Sequence, residues 1–227
     1  LQNQKFKLST INRKLAVLRS FYNYLIAEGL LRFNPTRERI INYQPQQFSE
    51  VLSEETVEKV LEQIRTLQHK EVARDLALFT LIYSTGIRTS ELVSLGLNDI
   101  RVNNGQMYLV CHGRNGTERI VALEDSVRDC LNDYLENKRP KLLNKPAEEA
   151  LFLSRQGRRL TRAGVWLILG KHAKAAGFEK KVTARILRHT FTARMLASGK
   201  CLEEVRILLG LTNSASYRLY KIVSKNM

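Results

Sequence analysis

The stretch Ala73 to Ser84, ARDLALFTLIYS, is largely apolar. A helix that is apolar on nearly every side belongs in a protein interior, so this run predicts a buried helix. Thr85-Gly86-Ile87-Arg88 breaks it, and a new helix is predicted to start near Ser90.

The other segments read as shorter elements. Ser9 or Thr10 can cap a helix running to about Glu28, with Ile11, Leu15, Leu18, Tyr22 and Leu25 forming one apolar face at steps of three and four. Gly29 stops that helix, and Asn34-Pro35 ends the short segment after it. Thr36 to Glu50 is polar, carries Pro45, and reads as a linker. Ser53-Glu54-Glu55-Thr56 has the composition of a helix N-terminus, where negative charge meets the helix dipole. Gln106–Cys111 and Glu118–Leu123 are strand candidates flanking Gly113-Arg114-Asn115-Gly116, whose Asn-Gly pair is a hairpin signal. Helices are predicted over Ser126–Leu135, Thr161–Ala176, Thr183–Ser198, Leu202–Leu209 and Ser214–Ile222, with Gly177, Gly199 and Gly210 at three of the breaks. The predicted fold class is mainly α with a small antiparallel sheet, α+β.

Composition narrows the function. Of 227 residues, 44% are hydrophobic and 26% charged, which supports a folded core. The apolar runs fall short of the ~20 residues a membrane span needs, no signal peptide is visible, and a start at Leu1 suggests a fragment or a processed chain. Cys111, Cys130 and Cys201 are widely spaced, and neither they nor the four histidines have metal-ligand spacing, so no metal and no disulfide framework is expected. The net charge of +15, from 37 Lys+Arg against 22 Asp+Glu, points to a polyanionic partner, because basic side chains release counterions from phosphate backbones. A solvated basic surface is the plain alternative.

Several groups could carry chemistry. Arg88 is either salt-bridged to Glu91, three residues on, or a phosphate clamp, since a guanidinium presents a planar fork to two phosphate oxygens. Arg185 and Arg188 share a helix face, which suits either a phosphate site or an exposed solvated pair. His189 reads as a packed, hydrogen-bonded residue. Tyr217 and Tyr220 lie near Arg218 and Lys221. A phenol there is ordinarily a packing residue, and becomes a nucleophile where cations stabilise the phenolate or a base removes its proton.

Taken in order, these pieces resemble the tyrosine recombinase (phage-integrase) family, in particular its Xer-like members. Thr85-Gly86-Ile87-Arg88-Thr89-Ser90-Glu91-Leu92 is similar to the first arginine box. Gly113-Arg114 with Glu118-Arg119-Ile120-Val121 resembles the β-hairpin, and Arg185-x-x-Arg188-His189-Thr190-Phe191 the second arginine box. Leu208-Leu209-Gly210 and then Tyr220 resemble the nucleophile region. The resemblance spans essentially the whole chain. It implies residues 1–35 as the end of a helical core-binding domain whose first helices are missing, 36–50 as the linker, and 51–227 as the catalytic domain.

The resemblance further implies metal- and cofactor-free transesterification, with site-specific DNA recombination or integration as the outcome. Tyr220 would be the nucleophile, Arg88 and Arg188 the phosphate-binding arginines, Glu91 the support of Arg88, and Tyr217 a competing phenol one helical turn too early. Three positions depart from the pattern. Arg114 stands at the hairpin lysine, Arg185 at a common histidine, and Leu211 at the histidine after Leu-Leu-Gly. An arginine, with a pKa above ~12, is a poor proton donor, and losing a general acid costs ~10²–10⁴ in rate. Two readings remain: an active recombinase that moves protons through water, Lys200, Lys221 or another group, or a catalytically degenerate homologue that binds DNA or acts as an accessory protein.

The expected partner is double-stranded DNA gripped in a C-shaped clamp, with Arg13, Lys14, Arg19, Arg155, Arg158, Arg159 and Arg162 as phosphate contacts. Other protomers would join on paired sites. The seven residues after Tyr220 are short for exchange between neighbours, so the free protein is expected to be monomeric. The expected location is the cytoplasm, on the nucleoid, with no membrane association.

Overall fold

A computed structural model describes residues 6, 8–37, 51–113, 116–145, 147–178 and 182–211. The chain divides into two compact units, residues 1–47 and 48–227.

The first unit is built on α1, Leu8–Ala27. Ile11 is buried, whereas Leu18, Phe21 and Tyr24 on the same helix are exposed. Gly29, at φ 72°, ends the helix in the left-handed conformation glycine adopts without a Cβ penalty. The chain then folds back. Asn34 donates through Nδ2 to Asn23 Oδ1 at 2.7 Å, and its Oδ1 accepts from the Thr36 backbone N–H at 2.8 Å. Thr36, read from sequence as the first linker residue, is buried in this unit, and Arg19 Nη2 donates to its carbonyl at 3.2 Å. The rest of the predicted linker, 38–50, lies outside the described residues.

In the second unit some helices begin at side-chain caps. The helix α2, Glu54–Arg65, starts where Ser53 accepts from the Thr56 N–H at 3.2 Å. Thr161 and Thr183 do the same for α7, Arg162–Ala175, and α8, Ala184–Ala197. The apolar run forms α3, Val72–Thr85. Leu78, Leu81 and Ile82 are fully buried at the centre of the main core, as the sequence predicts.

The sheet has three antiparallel strands in the order β1-β2-β3, not the two read from sequence. They are Ile100–Asn103, Gln106–His112 and Glu118–Ala122. The unread strand β1 is a largely exposed edge, with Val102 65% accessible, so it carries no buried alternation. Its signal is Asn104-Gly105, at φ 49° and 78°, the positive pair that a two-residue hairpin turn requires.

A second correction concerns the helix predicted to end at Leu135. Here α5, Asp125–Asp133, runs through a π-helical turn at Tyr134–Lys138 into α6, Arg139–Leu142. Tyr134 explains the continuation. Its ring is fully buried and stacks on Phe152 at 5.5 Å, its hydroxyl donates to Leu151 O at 3.2 Å, and it accepts from the Leu153 N–H at 3.1 Å. Buried Arg139 donates from Nη2 to Glu148 O at 2.6 Å and Ala150 O at 2.7 Å. The short apolar run 151–153 is thereby held in the core.

Candidate active site

Arg88 sits between α3 and α4, Thr89–Ser94, as the N-cap residue of α4. Gly86 makes that corner possible. It is left-handed, at φ +58°, and a Cβ there would come 2.6 Å from Phe191 Cδ1 and 2.9 Å from Leu209 Cδ2. The close approach brings α8 and the end of α9, Leu202–Leu208, against the corner.

Both box arginines then meet one short stretch of backbone. Arg88 Nη2 donates to Gly210 O at 2.6 Å, and Arg188 Nη2 donates to Leu209 O at 2.8 Å. Arg188 Nη1 also donates to Gly86 O. Two guanidiniums one hundred residues apart in sequence are thus fixed on consecutive carbonyls.

The salt bridge between Arg88 and Glu91 is present as well. Arg88 Nη1 donates to Glu91 Oε1 at 2.6 Å, and the Arg88 backbone N–H donates to Oε2 at 2.9 Å. The latter is the backward half of a capping box. Arg119 Nη2, from β3, donates to Glu91 Oε2 at 2.7 Å. Burial would raise the Glu91 pKa, but the Arg119 charge, the Arg88 hydrogen bonds and the Arg88 charge together hold it below its usual value. A cavity of about 260 Å³ adjoins these groups, lined in part by Gly113, Thr117, Arg206 and Leu211.

Arg185 and His189, one turn apart on α8, flank Arg188. Arg185 is exposed, and its Nε donates to His189 Nε2 at 3.4 Å. His189 is half-buried, and burial, then the charges of Arg185 and Arg188, push its pKa down to about 4. It is neutral at pH 7. Between pH 6.5 and about 4 the unfolded chain takes up a proton at His189 that the folded chain refuses. Stability linked to this residue is therefore present above pH 6.5 and lost as pH falls toward 4. Thermal melts at pH 7 and pH 5 are expected to show a smaller acid loss for His189→Gln than for the parent.

The remaining candidates separate. Leu211 packs on the small apolar cluster of Phe191, Val205 and Leu209, so a side chain at a polar position of the family pattern serves packing here. Arg159 Nη1 donates to the carbonyls of Val93, Ser94 and Leu95, at 2.9, 2.8 and 3.0 Å, closing the C-terminal end of α4. Arg155 Nε pairs with buried Glu71 at 2.8 Å, and Arg158 and Arg162 are exposed near the same turn. In the first unit Arg13 is exposed, and Lys14 Nζ lies 3.9 Å over the Phe6 ring. Arg114, Tyr217, Tyr220 and Lys221 lie outside the described residues.

Sequence reasoning missed Arg119 and Arg206. Arg206 donates to Glu203 and, through Nη1, to Leu211 O at 3.0 Å. Arg119 had a signal: it shares the inward face of β3 with buried Val121, whereas Glu118, Ile120 and Ala122 face out. Among the described residues no group of three or more acidic, histidine or cysteine side chains could hold a metal, and no helix is long and apolar enough to cross a membrane.

The chain is 34% identical over 226 residues to tyrosine recombinase XerD of Oceanobacillus iheyensis, covering 99% of this chain and 75% of the relative. It is 34% identical over 223 residues to tyrosine recombinase XerC of Roseiflexus castenholzii, covering 97% and 70%. Among solved structures, the XerH site-specific recombinase bound to difH substrate superposes with a TM-score of 0.73 at 25% identity, over 95% of this chain and 62% of that one. The Tn1549 transposon integrase in complex with a circular intermediate DNA shares the fold, with a TM-score of 0.72 at 17% identity over 96% and 76%. Residues 50–227 match the phage integrase family, and the chain belongs to that family.

Proposed function

We propose that this chain is a site-specific DNA recombinase that breaks and rejoins double-stranded DNA through a covalent 3′-phosphotyrosine. Tyr220 is its nucleophile. The phenol gives its proton to water as its oxygen forms a bond to phosphorus, the bond from phosphorus to the 5′ oxygen breaks, and that oxygen leaves as a hydroxyl after taking a proton. Attack by the 5′-hydroxyl of another strand reverses the step. One phosphodiester is exchanged for another, so no external energy source enters.

The convergence of Arg88 and Arg188 on the Leu209–Gly210 carbonyls carries this reading. In the transition state, charge gathers on the nonbridging phosphate oxygens. Donors already fixed in place stabilise it without reorganising at the moment of reaction. Arg185, exposed one turn before Arg188, adds a third positive charge. In the family pattern Arg114 stands at the hairpin lysine, and an arginine there is a hydrogen-bond donor to the 5′ oxygen but a poor acid. Water or Lys200 then supplies the proton.

The basic residues Arg155, Arg158, Arg159 and Arg162 of the catalytic domain, 51–227, and Arg13, Lys14 and Arg19 of the helical unit position DNA by its phosphates. Further protomers assemble on paired sites, and the protein works in the cytoplasm on the nucleoid.

The test is a pool of nicked duplexes with randomised arms, including a difH duplex, in which cleavage next to the nick traps the covalent product. The expected result is a protein–DNA band in a denaturing gel for the parent and none for Tyr220→Phe. A band that persists in Tyr220→Phe overturns the nucleophile. No band with any duplex favours the DNA-binding homologue without cleavage.

A further inference from the structure

We infer that Arg119 is a positioning residue of the reaction, holding the Glu91 carboxylate and the Gly210 backbone and through both the guanidinium of Arg88. The inference deepens the recombinase reading and rests on it for its kinetic consequence.

The placement of Arg119 is unusual for a charge. Its side chain is 12% exposed on the inward face of a strand, against a Glu91 side chain that is 3% exposed. Strand positions on that face normally take apolar residues. Moreover, Arg119 Nε and Nη1 are buried with no hydrogen-bond partner among the described residues, although Nη2 meets Glu91 at 2.7 Å. Buried charged donors left unsatisfied are costly, so an apolar residue would suit the core better. The sequence retains a cation there because of what the remaining nitrogen does.

Two contacts define that role. Glu91 accepts three donors, from the Arg88 backbone, from Arg88 Nη1 and from Arg119 Nη2. The other anchor of Arg88 is Gly210 O. A Cβ on Gly210 would lie 2.7 Å from Arg119 Cδ and 2.9 Å from Arg119 Nε, so the Gly210 backbone rests on the Arg119 side chain. Arg119 therefore touches both supports of Arg88 without being an exposed phosphate contact itself.

Charge balance points the same way. Arg88 with Glu91 alone is a neutral pair, to which a phosphate is weakly drawn. With Arg119 the cluster carries one net positive charge, and the carboxylate is shared rather than spent on Arg88. Strand β3 thus also fixes the first arginine box.

The experiment uses the full chain and two readouts. The first is the single-turnover rate of covalent adduct formation on the nicked duplex, with DNA affinity measured alongside. Arg119→Met is expected to slow the adduct by about 10²-fold, the scale of a small misplacement of a reacting group, while affinity changes less than about 3-fold, as expected where phosphates elsewhere dominate binding. Arg119→Lys, which keeps the charge, is expected to recover part of the rate. The double variant Arg119→Met/Glu91→Gln is expected to be no slower than the slower single variant. A parental rate in Arg119→Met, or losses that multiply in the double variant, overturns the inference.

The second readout is the same cycle by thermal melting without DNA, where the two substitutions are expected to be non-additive. If the parent forms no adduct, the recombinase reading fails on its own. Additive melting losses then overturn the positioning contact, and non-additive losses uphold it.

Discussion

Arg188→Ala is expected to lower the rate of covalent adduct formation by about 10²–10³, the loss typical of removing one fixed donor from a site of developing negative charge. Arg188 is held by two carbonyls, Gly86 O and Leu209 O, so its truncation also leaves those acceptors without it. Each such hydrogen bond contributes about 0.5–1.5 kcal/mol net. A modest drop in melting temperature therefore accompanies the kinetic loss. Arg188→Lys separates the two effects. Lysine keeps the charge, but its compact ammonium lacks the planar fork that spans both carbonyls while facing a phosphate. It is expected to melt between the parent and the alanine variant and yet cleave close to the alanine variant. Single-turnover cleavage of the nicked duplex, paired with thermal melts, checks this. A parental rate in Arg188→Ala removes Arg188 from the phosphate site.

The contrast between Arg188 and Arg185 shows what sequence could and could not say. Spacing placed both on one face of α8, and the resemblance assigned Arg188 to the phosphate and set Arg185 at a position where a histidine is common. It could not tell that Arg188 turns inward to the Gly86 corner while Arg185 stays at the surface. That difference depends on Gly86 lacking a Cβ, which lets Phe191 and Leu209 close in. The helices around this corner were legible because Ser53, Thr161 and Thr183 are local caps and the α3 run is largely apolar. The edge strand β1 was not, because its side chains are mostly exposed and the Asn104-Gly105 turn was its lone local mark. The π-helical turn at Tyr134 was equally hidden, since it depends on where the Tyr134 hydroxyl meets the backbone of Leu151 and Leu153. Arg119 failed for a related reason. Its meaning lies in Glu91, 28 residues earlier, and in Gly210, far later.

Asp75→Ala is expected to destabilise the second unit by about 3–5 kcal/mol, the range for removing one partner of a buried ion pair. Asp75 and Arg74, beside each other on α3, are 2% and 4% exposed, inside the helix whose largely apolar sequence reads as buried. Arg74 Nε and Nη2 donate to Asp75 Oδ1 at 2.8 and 2.7 Å, and Nη1 donates to Leu153 O at 3.0 Å. Asp75 Oδ2 meets His172 Nε2 of α7 at 2.9 Å, and His172 Nδ1 lies 3.1 Å from Gln63 Oε1 of α2. One carboxylate thus ties α2, α3, α7 and the 151–153 segment together. Its loss leaves a guanidinium and an imidazole buried without their common acceptor. Asp75→Asn keeps the shape and one acceptor but not the charge, and is expected to lose less. Chemical denaturation of both variants measures the effect. The same variants show whether the network reaches the site, because Gly86, beside Arg88, caps the end of α3. At temperatures where Asp75→Ala remains folded, its cleavage rate is expected to stay near the parent, since no atom of the buried network touches Arg88 or Arg188 among the described contacts. A large rate loss in a fully folded Asp75→Ala would mean that the network sets the catalytic geometry as well as holding the core.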